Sequence, residues 1–321
     1  MKVKTTTLRY YLKWILWVIV VQVVLANISA AIYAYNFTHL RKGPVPAYVP
    51  KNIITKTWKL FVGPNMYRNP VEEKPSFPCD SILLTTSDHL SVHAWYGAVD
   101  SSKGCVIFVH GYTGNKGSLL KEAEEFRSWG YSVLLLDLRG HGESESSATT
   151  MGVKETDEVE KAFDYADSKG NKKILLYGAS LGAGICIKAA SEGKIKPAAV
   201  IADMPFGSLH EHFKGRAREI GFPSEPFASL VTFWVGIEQG YNGFKHDVAS
   251  YAKNVNCPVL VEWGDKDPIV SQHEIESVYQ NLASKNKKLV IYPDAGHQSF
   301  LRYDAITWQK EMQELLRSLP Q

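Results

Sequence analysis

Acidic residues are missing from the opening stretch of this 321-residue chain: residues 1–71 contain ten Lys/Arg and not one Asp or Glu. The other 250 residues hold 26 Lys/Arg against 33 Asp/Glu, a balance of −7, so the formal net charge of +3 sums a basic end and an acidic body. An acidic body does not suit the phosphate backbone of nucleic acid, and no nucleic-acid partner is expected. Cysteine is scarce too. Cys79, Cys105, Cys186 and Cys257 stand far apart, with no CxxC and no His at ligand spacing. That pattern argues against a disulfide framework or a zinc site and reads as small buried hydrophobes. There is no internal repeat and no low-complexity tract. With 45% apolar and 21% charged residues the chain is neither disordered nor fibrous.

What the basic end does contain is a long apolar run. From Trp14 to Tyr35 only Gln22, Asn27 and Ser29 are polar, and nothing is charged. As a helix these residues span ~33 Å, matching a hydrocarbon core of ~30 Å. Eleven of them are Leu, Ile or Val, and Tyr10, Tyr11, Trp14, Trp17, Tyr33 and Tyr35 flank the run where interfacial aromatics belong. The expectation is a basic tail (1–13), a transmembrane signal anchor (14–35) in contact with membrane lipid, and a tether (36–78) holding seven of the fifteen prolines. A cleavable signal peptide is the competing reading, because Val24-Leu25-Ala26 and Ser29-Ala30-Ala31 both offer small or aliphatic residues to a signal peptidase. A short basic tail before a first span stays inside, which places the remainder outside the cytoplasm; the charge bias behind that orientation is slight.

Beyond residue 78 strand and helix alternate. Strands are expected at 81–86, 90–96, 105–110, 132–136, 174–177, 199–202, 258–262 and 288–292, with helices at 117–129, 153–168, 181–191, 271–283 and 305–319. Such alternation implies a mostly parallel, eight-stranded α/β sheet flanked by helices; the short Ser87-Asp88-His89 gap makes its first pair antiparallel. The connection from about 204 to 257 is too long for one crossover helix and rich in aromatics, from Phe206 to Phe244. It reads as a small helical cap, with a pair of helices packed on the sheet as the alternative.

Within the body, Gly178-Ala179-Ser180-Leu181-Gly182 stands between an apolar strand and a helix. A serine turned sharply out of a strand end leaves almost no room for side chains two residues to either side, which is the GxSxG pattern. The helix after it points its positive dipole end, and the Leu181 amide, at the place where an oxyanion would form. A base and an orienting acid should follow. Gly264-Asp265-Lys266-Asp267 lies just past one strand and Asp294-Ala295-Gly296-His297 just past the next, so Ser180, Asp267 and His297 all leave the carboxyl ends of parallel strands.

Four segments in this order carry a resemblance: His110-Gly111-Tyr112-Thr113-Gly114, Asp137 to Ser144, the turn around Ser180, and the acid and histidine loops. From residue 79 to the end the chain resembles the α/β-hydrolase superfamily, in its serine-aminopeptidase-like and monoacylglycerol-lipase-like branch. The resemblance implies a Ser180, His297, Asp267 triad and an oxyanion pair from the Tyr112 and Leu181 amides. It favours Asp267 over Asp265, with Asp203 a third position because some members place the acid there. His110 and His141 read as structural, and His210-Glu211-His212 as a solvated cap face. The chemistry implied requires no metal or organic cofactor. The expected substrate is a small acyl compound, with a carboxylic ester, lipid ester or acyl-thioester first. Serine aminopeptidase activity is the alternative; it would need a cap carboxylate such as Glu211, Glu219 or Glu225 to bind an amine, and the GGSWG elbow of proline iminopeptidases is absent. A catalytically silent hydrolase fold used for binding is the alternative from another class. Oligomeric state is left open.

Overall fold

The computed structural model describes residues 3–43, 61–63, 65–219 and 221–319, with residues 3–7 as backbone only. The middle of the expected tether, including Pro44, Pro46, Pro50 and Pro64, lies outside the described residues. Eight strands form one sheet in the order β1-β2-β4-β3-β5-β6-β7-β8. β1 (Asp80–Thr85) and β2 (Ser91–Gly97) pair antiparallel, as the short gap between them requires, and β2 meets β4 (Ser132–Leu136) antiparallel. β3 (Cys105–Val109), β5 (Ile174–Ala179), β6 (Ala199–Asp203), β7 (Val259–Gly264) and β8 (Lys287–Tyr292) continue the sheet in parallel.

Alternation along the strands builds two cores, because successive side chains point to opposite faces. Val106, Phe108, Leu175 and Tyr177 join α2 (Leu120–Ser128) and α9 (Ala305–Ser318) on one face, around the fully buried Trp308. Cys105, Ile107, Val109, Ile174 and Leu176 face α3 (Thr156–Ser168), α4 (Leu181–Ser191) and α8 (Gln272–Asn281) on the other. Two of the cysteines, Cys105 and Cys186, are fully buried and free, while Cys79 and Cys257 are partly exposed.

The long connection after β6 holds α5 (Leu209–Glu219), α6 (Phe227–Gln239), a short 3₁₀ turn and α7 (Val248–Ala252). α5 leans on the loop that follows β7. A Cβ on Gly215 would stand 2.0 Å from the Ile269 carbonyl oxygen, and Arg218 donates to that same oxygen at 3.2 Å. The connection therefore lies at the carboxyl edge of the sheet.

The amino-terminal helix, α1 (Val3–Thr38), runs three residues past its expected end at Tyr35. From Leu8 to Ala26 every residue is exposed, whereas Ala30, Ala34, Phe37 and Leu40 are buried in the domain. Its apolar part, Leu8–Thr38, is long and apolar enough to cross a membrane. The spacing 30, 34, 37 lines up one helical face, and the two alanines let the backbone approach closely. Trp234 on α6 donates to the Asn27 side chain at 3.3 Å, and Tyr33 meets Phe227 edge to face at 5.0 Å.

The described flanks of the expected tether also differ from a free connector. His39 bridges Ala148 and Arg41 bridges Tyr67. Arg68 is 5% exposed and donates to the carbonyls of Ser144 and Ser146. A buried guanidinium needs several acceptors at once, and the turn after Ser144 supplies them.

Candidate active site

Ser180 stands at the turn between β5 and α4 with φ +53° and ψ −112°, a conformation costly for any residue with a side chain. Its glycines are dictated by contact. A Cβ on Gly178 would lie 2.3 Å from the Gly182 carbonyl oxygen, and one on Gly182 would lie 2.0 Å from that of Val109. The Ser180 amide donates to the Asp203 carbonyl at 2.7 Å, which ties the turn to the end of β6.

The three residues expected to act together are brought together. Ser180 Oγ and His297 Nε2 are 2.9 Å apart, and His297 Nδ1 and Asp267 Oδ2 are 2.6 Å apart. An ionised carboxylate only accepts, so Nδ1 carries the proton and Nε2 is left to accept from the serine hydroxyl. The Asp267 side chain is fully buried, and its other oxygen accepts the Ile269 and Val270 amides at 2.8 and 2.9 Å. Those two bonds fix the carboxylate while leaving Oδ2 for the imidazole.

The competing acids are engaged elsewhere. Asp265 Oδ1 accepts the Asp294 amide at 2.6 Å. Asp203 accepts from the Tyr177 hydroxyl at 2.5 Å, and Tyr292 donates to Glu262 beside it. Burial pushes the Asp203 carboxyl up to about 7, and burial together with the neighbouring Asp203 pushes Glu262 well above the usual range. Asp203 Oδ1 and Glu262 Oε2 are both buried with no conventional donor. Burial of two neighbouring carboxyls disfavours ionising both at once.

The Tyr112 segment abuts the serine turn. A Cβ on Gly111 would lie 3.3 Å from the Ala179 carbonyl oxygen and 3.4 Å from Ser180 Cβ, and Leu181 opens α4 on the other side. His110 and His141 act as braces, as expected. His110 Nδ1 donates to the Gly111 carbonyl at 2.7 Å, its Nε2 accepts the Leu138 amide at 3.1 Å, and burial holds its pKa down. His141 is buried, with its Nδ1 2.9 Å from the Arg139 carbonyl oxygen. Asp137 accepts from the Lys116 amide at 2.6 Å and its ammonium at 2.7 Å, and from the Glu143 amide at 2.9 Å, tying the two glycine-rich loops together.

The cap corrects one expectation. His210 is paired with Glu225 at 2.8 Å, but His212 is 4% exposed, not solvated, and lies against Phe37, Phe206 and Phe213. Helical period explains it: two residues on from His210, the side chain turns to the opposite face. Among the described residues no group of three or more His, Cys, Asp or Glu is placed to hold a metal ion. Phe37 and Arg68 were not singled out by sequence. For Phe37 the available signal was the Ala30-x-x-x-Ala34 spacing one turn before it. A cavity of about 1000 Å³ has Asn69, Glu73, Asn115, Gln298 and Arg302 in its walls and none of the three triad side chains.

An eight-stranded, mostly parallel sheet with a nucleophile-elbow serine and a downstream acid and histidine defines an α/β-hydrolase. The family model described as serine aminopeptidase S33 matches residues 100–242 and 238–302, and the chain belongs to that family, and so to the serine hydrolases. It is 26% identical over 243 residues to an uncharacterized protein of Bacillus subtilis, covering 74% of this chain and 79% of that one. Against a lysophosphatidylserine lipase of Mus musculus it is 25% identical over 206 residues, 60% of this chain. The chain spans about half, 49%, of that lipase's length. An uncharacterized membrane protein of Saccharomyces cerevisiae is 27% identical over 241 residues, 74% of this chain and 80% of that one. Among solved structures, an esterase of Pyrococcus furiosus superposes with a TM-score of 0.66 at 23% identity, covering 88% of this chain and 99% of its own.

Proposed function

We propose that the chain is a membrane-anchored carboxylic ester hydrolase working through Ser180, His297 and Asp267. The observation that carries this reading is the unbroken hydrogen-bond chain from Ser180 Oγ through the imidazole to Asp267. His297 Nε2 takes the serine proton as Oγ bonds to the acyl carbon, and the carbonyl electrons move to oxygen, held by the Tyr112 and Leu181 amides. Collapse of the tetrahedral centre breaks the bond to the alcohol or thiol, which leaves with the proton from His297. Water then adds to the acyl-enzyme by the same route, releasing the acid and restoring Ser180. Asp267 fixes the imidazole tautomer and stabilises its cation.

The aromatic surroundings and α1 favour an apolar acyl group, with lipid esters ahead of acyl-thioesters, in keeping with the lipase and esterase relatives. The long apolar helix and the membrane protein among the relatives support membrane association; the basic tail before that helix favours the hydrolase domain outside the cytoplasm. Aminopeptidase activity is disfavoured because the cap carboxylates are already engaged: Glu211 with Lys214, Glu219 with Arg216 and Glu225 with His210.

A fluorophosphonate probe tests the reading. Wild type should be labelled and Ser180→Ala should not; equal labelling of both, or none of wild type, rejects it. p-Nitrophenyl esters of increasing chain length, set against aminoacyl anilides, then separate ester from peptide hydrolysis. Faster turnover of the anilides would reverse the assignment.

A further inference from the structure

The last carbonyls of a helix have no partner within it, so something outside must supply donors. At the end of α1 the hydrolase domain supplies them. The Tyr112 hydroxyl donates to the Phe37 carbonyl at 2.5 Å and the Thr149 amide to that of Thr38 at 2.9 Å. The Phe37 ring lies flat on the Tyr112 ring, with centroids 4.4 Å apart and planes 13° apart, and meets Phe213 of α5 at 5.2 Å. Thr38 donates to Glu238 of α6 at 3.0 Å, and His39 lies 2.8 Å from the same carboxylate. The last turn of α1 is thus clamped between the cap and the segment that carries the Tyr112 amide.

We propose that this turn is a positioning part of the reaction centre: Phe37, through its carbonyl and its ring, holds Tyr112 where its amide serves the oxyanion. The inference rests on the reading of Tyr112 given above. A plain tether would only raise the local concentration of lipid substrate, an effect confined to KM and absent for a soluble ester. Positioning of an oxyanion donor acts on kcat, whatever the substrate. Tyr112 has its side chain fixed at one end by α1 and its backbone pressed through Gly111 against Ser180. One residue therefore joins the membrane helix to the nucleophile.

The full chain in detergent micelles, with the soluble ester p-nitrophenyl acetate, tests this. Tyr112→Phe keeps the stacked ring and removes only the donor to Phe37. Its kcat should fall about tenfold, a fraction of the 10²–10³ that follows complete loss of an oxyanion donor, while KM stays within about twofold and Tm holds. Phe37→Ala should lose about a hundredfold in kcat, near the full value of that donor. Leu16→Ala, on the exposed half of α1, should match wild type. If Phe37→Ala does not fold, Tyr112→Phe decides. A Tyr112→Phe kcat within about twofold of wild type, with wild type labelled by fluorophosphonate at Ser180, overturns the positioning role and leaves the reaction intact. Wild type that is neither labelled nor active overturns the reaction, and the positioning role with it.

Discussion

At the scale of the residue, the acids at the carboxyl edge of the sheet sit close together and differ in their partners. Asp267 is held by two amides and faces an imidazole. Asp203 and Glu262, at paired positions near the ends of β6 and β7, are buried with two tyrosines, and burial pushes both carboxyls up. The sign of the stability effect follows. Asp203 has a folded pKa of about 7 against an ordinary value of 3.8, so between those pH values the unfolded chain has released a proton that the folded chain retains. This contribution is fully present below pH 3.8 and is lost as pH rises towards and beyond 7. Asp203→Asn removes the ionisable group and should narrow the loss. We expect its Tm relative to wild type to improve from pH 5 to pH 8, as followed by thermal unfolding monitored by circular dichroism; a constant difference would mean that burial does not push the Asp203 carboxyl up. Sequence could place Asp203 at a strand end, but not beside Glu262, which comes from another strand 59 positions later.

At the scale of the element, the turn around Ser180 is the most constrained piece of the fold. The Gly182 position admits no Cβ because the end of β3 passes 2.0 Å from where it would be. Gly182→Ala should therefore cost ~3 kcal/mol and most of the fluorophosphonate labelling, since either β3 or α4 must move. Gly296, next to His297, is a useful contrast: a Cβ there meets nothing nearer than 4.0 Å. Gly296→Ala should keep the stability to within ~0.5 kcal/mol of wild type, as substitutions away from tight contacts do. Paired thermal melts check both, and equal losses would show that proximity to the site, not contact, sets the cost. The GxSxG spacing announced this element because its constraint is local. The cap gave a weaker signal. Its length and aromatics were visible, but which of His210 and His212 turns inward depends on what α5 packs against.

At the scale of the whole molecule, α1 divides into a free half and a docked half. Leu8 to Ala26 touch little of the domain, while Ala30, Ala34, Phe37 and Leu40 are part of its core. Burying a Phe or Leu side chain is worth ~1.5–3 kcal/mol, so removing residues 1–43 should cost ~4 kcal/mol and about 10 °C in Tm, and should bare an apolar face. Removing only residues 1–26 should leave Tm within about 2 °C of wild type, because that part buries nothing in the domain. Thermal melts and size-exclusion chromatography of the two truncations measure this. Equal stability would place the docked half outside the folding unit.

The sequence by itself determined the alternating elements, the parallel sheet, the serine turn, and the acid and histidine loops, because each of these is written in a short stretch of chain. Strand alternation, glycine pairs and loop positions are local consequences of sterics and burial, and residues 105–109, 132–136 and 181–191 show them directly. Only the tertiary structure decided that Asp267 and not Asp265 faces His297, that Asp203 pairs with Glu262, and that the long apolar helix ends inside the hydrolase domain. A helix that is apolar all round has no polar face to reveal which side docks, so beyond the small-residue spacing of Ala30 and Ala34 its sequence marks no docking face. The partner of Phe37 lies 75 residues downstream at Tyr112, and only the folded chain brings the two together.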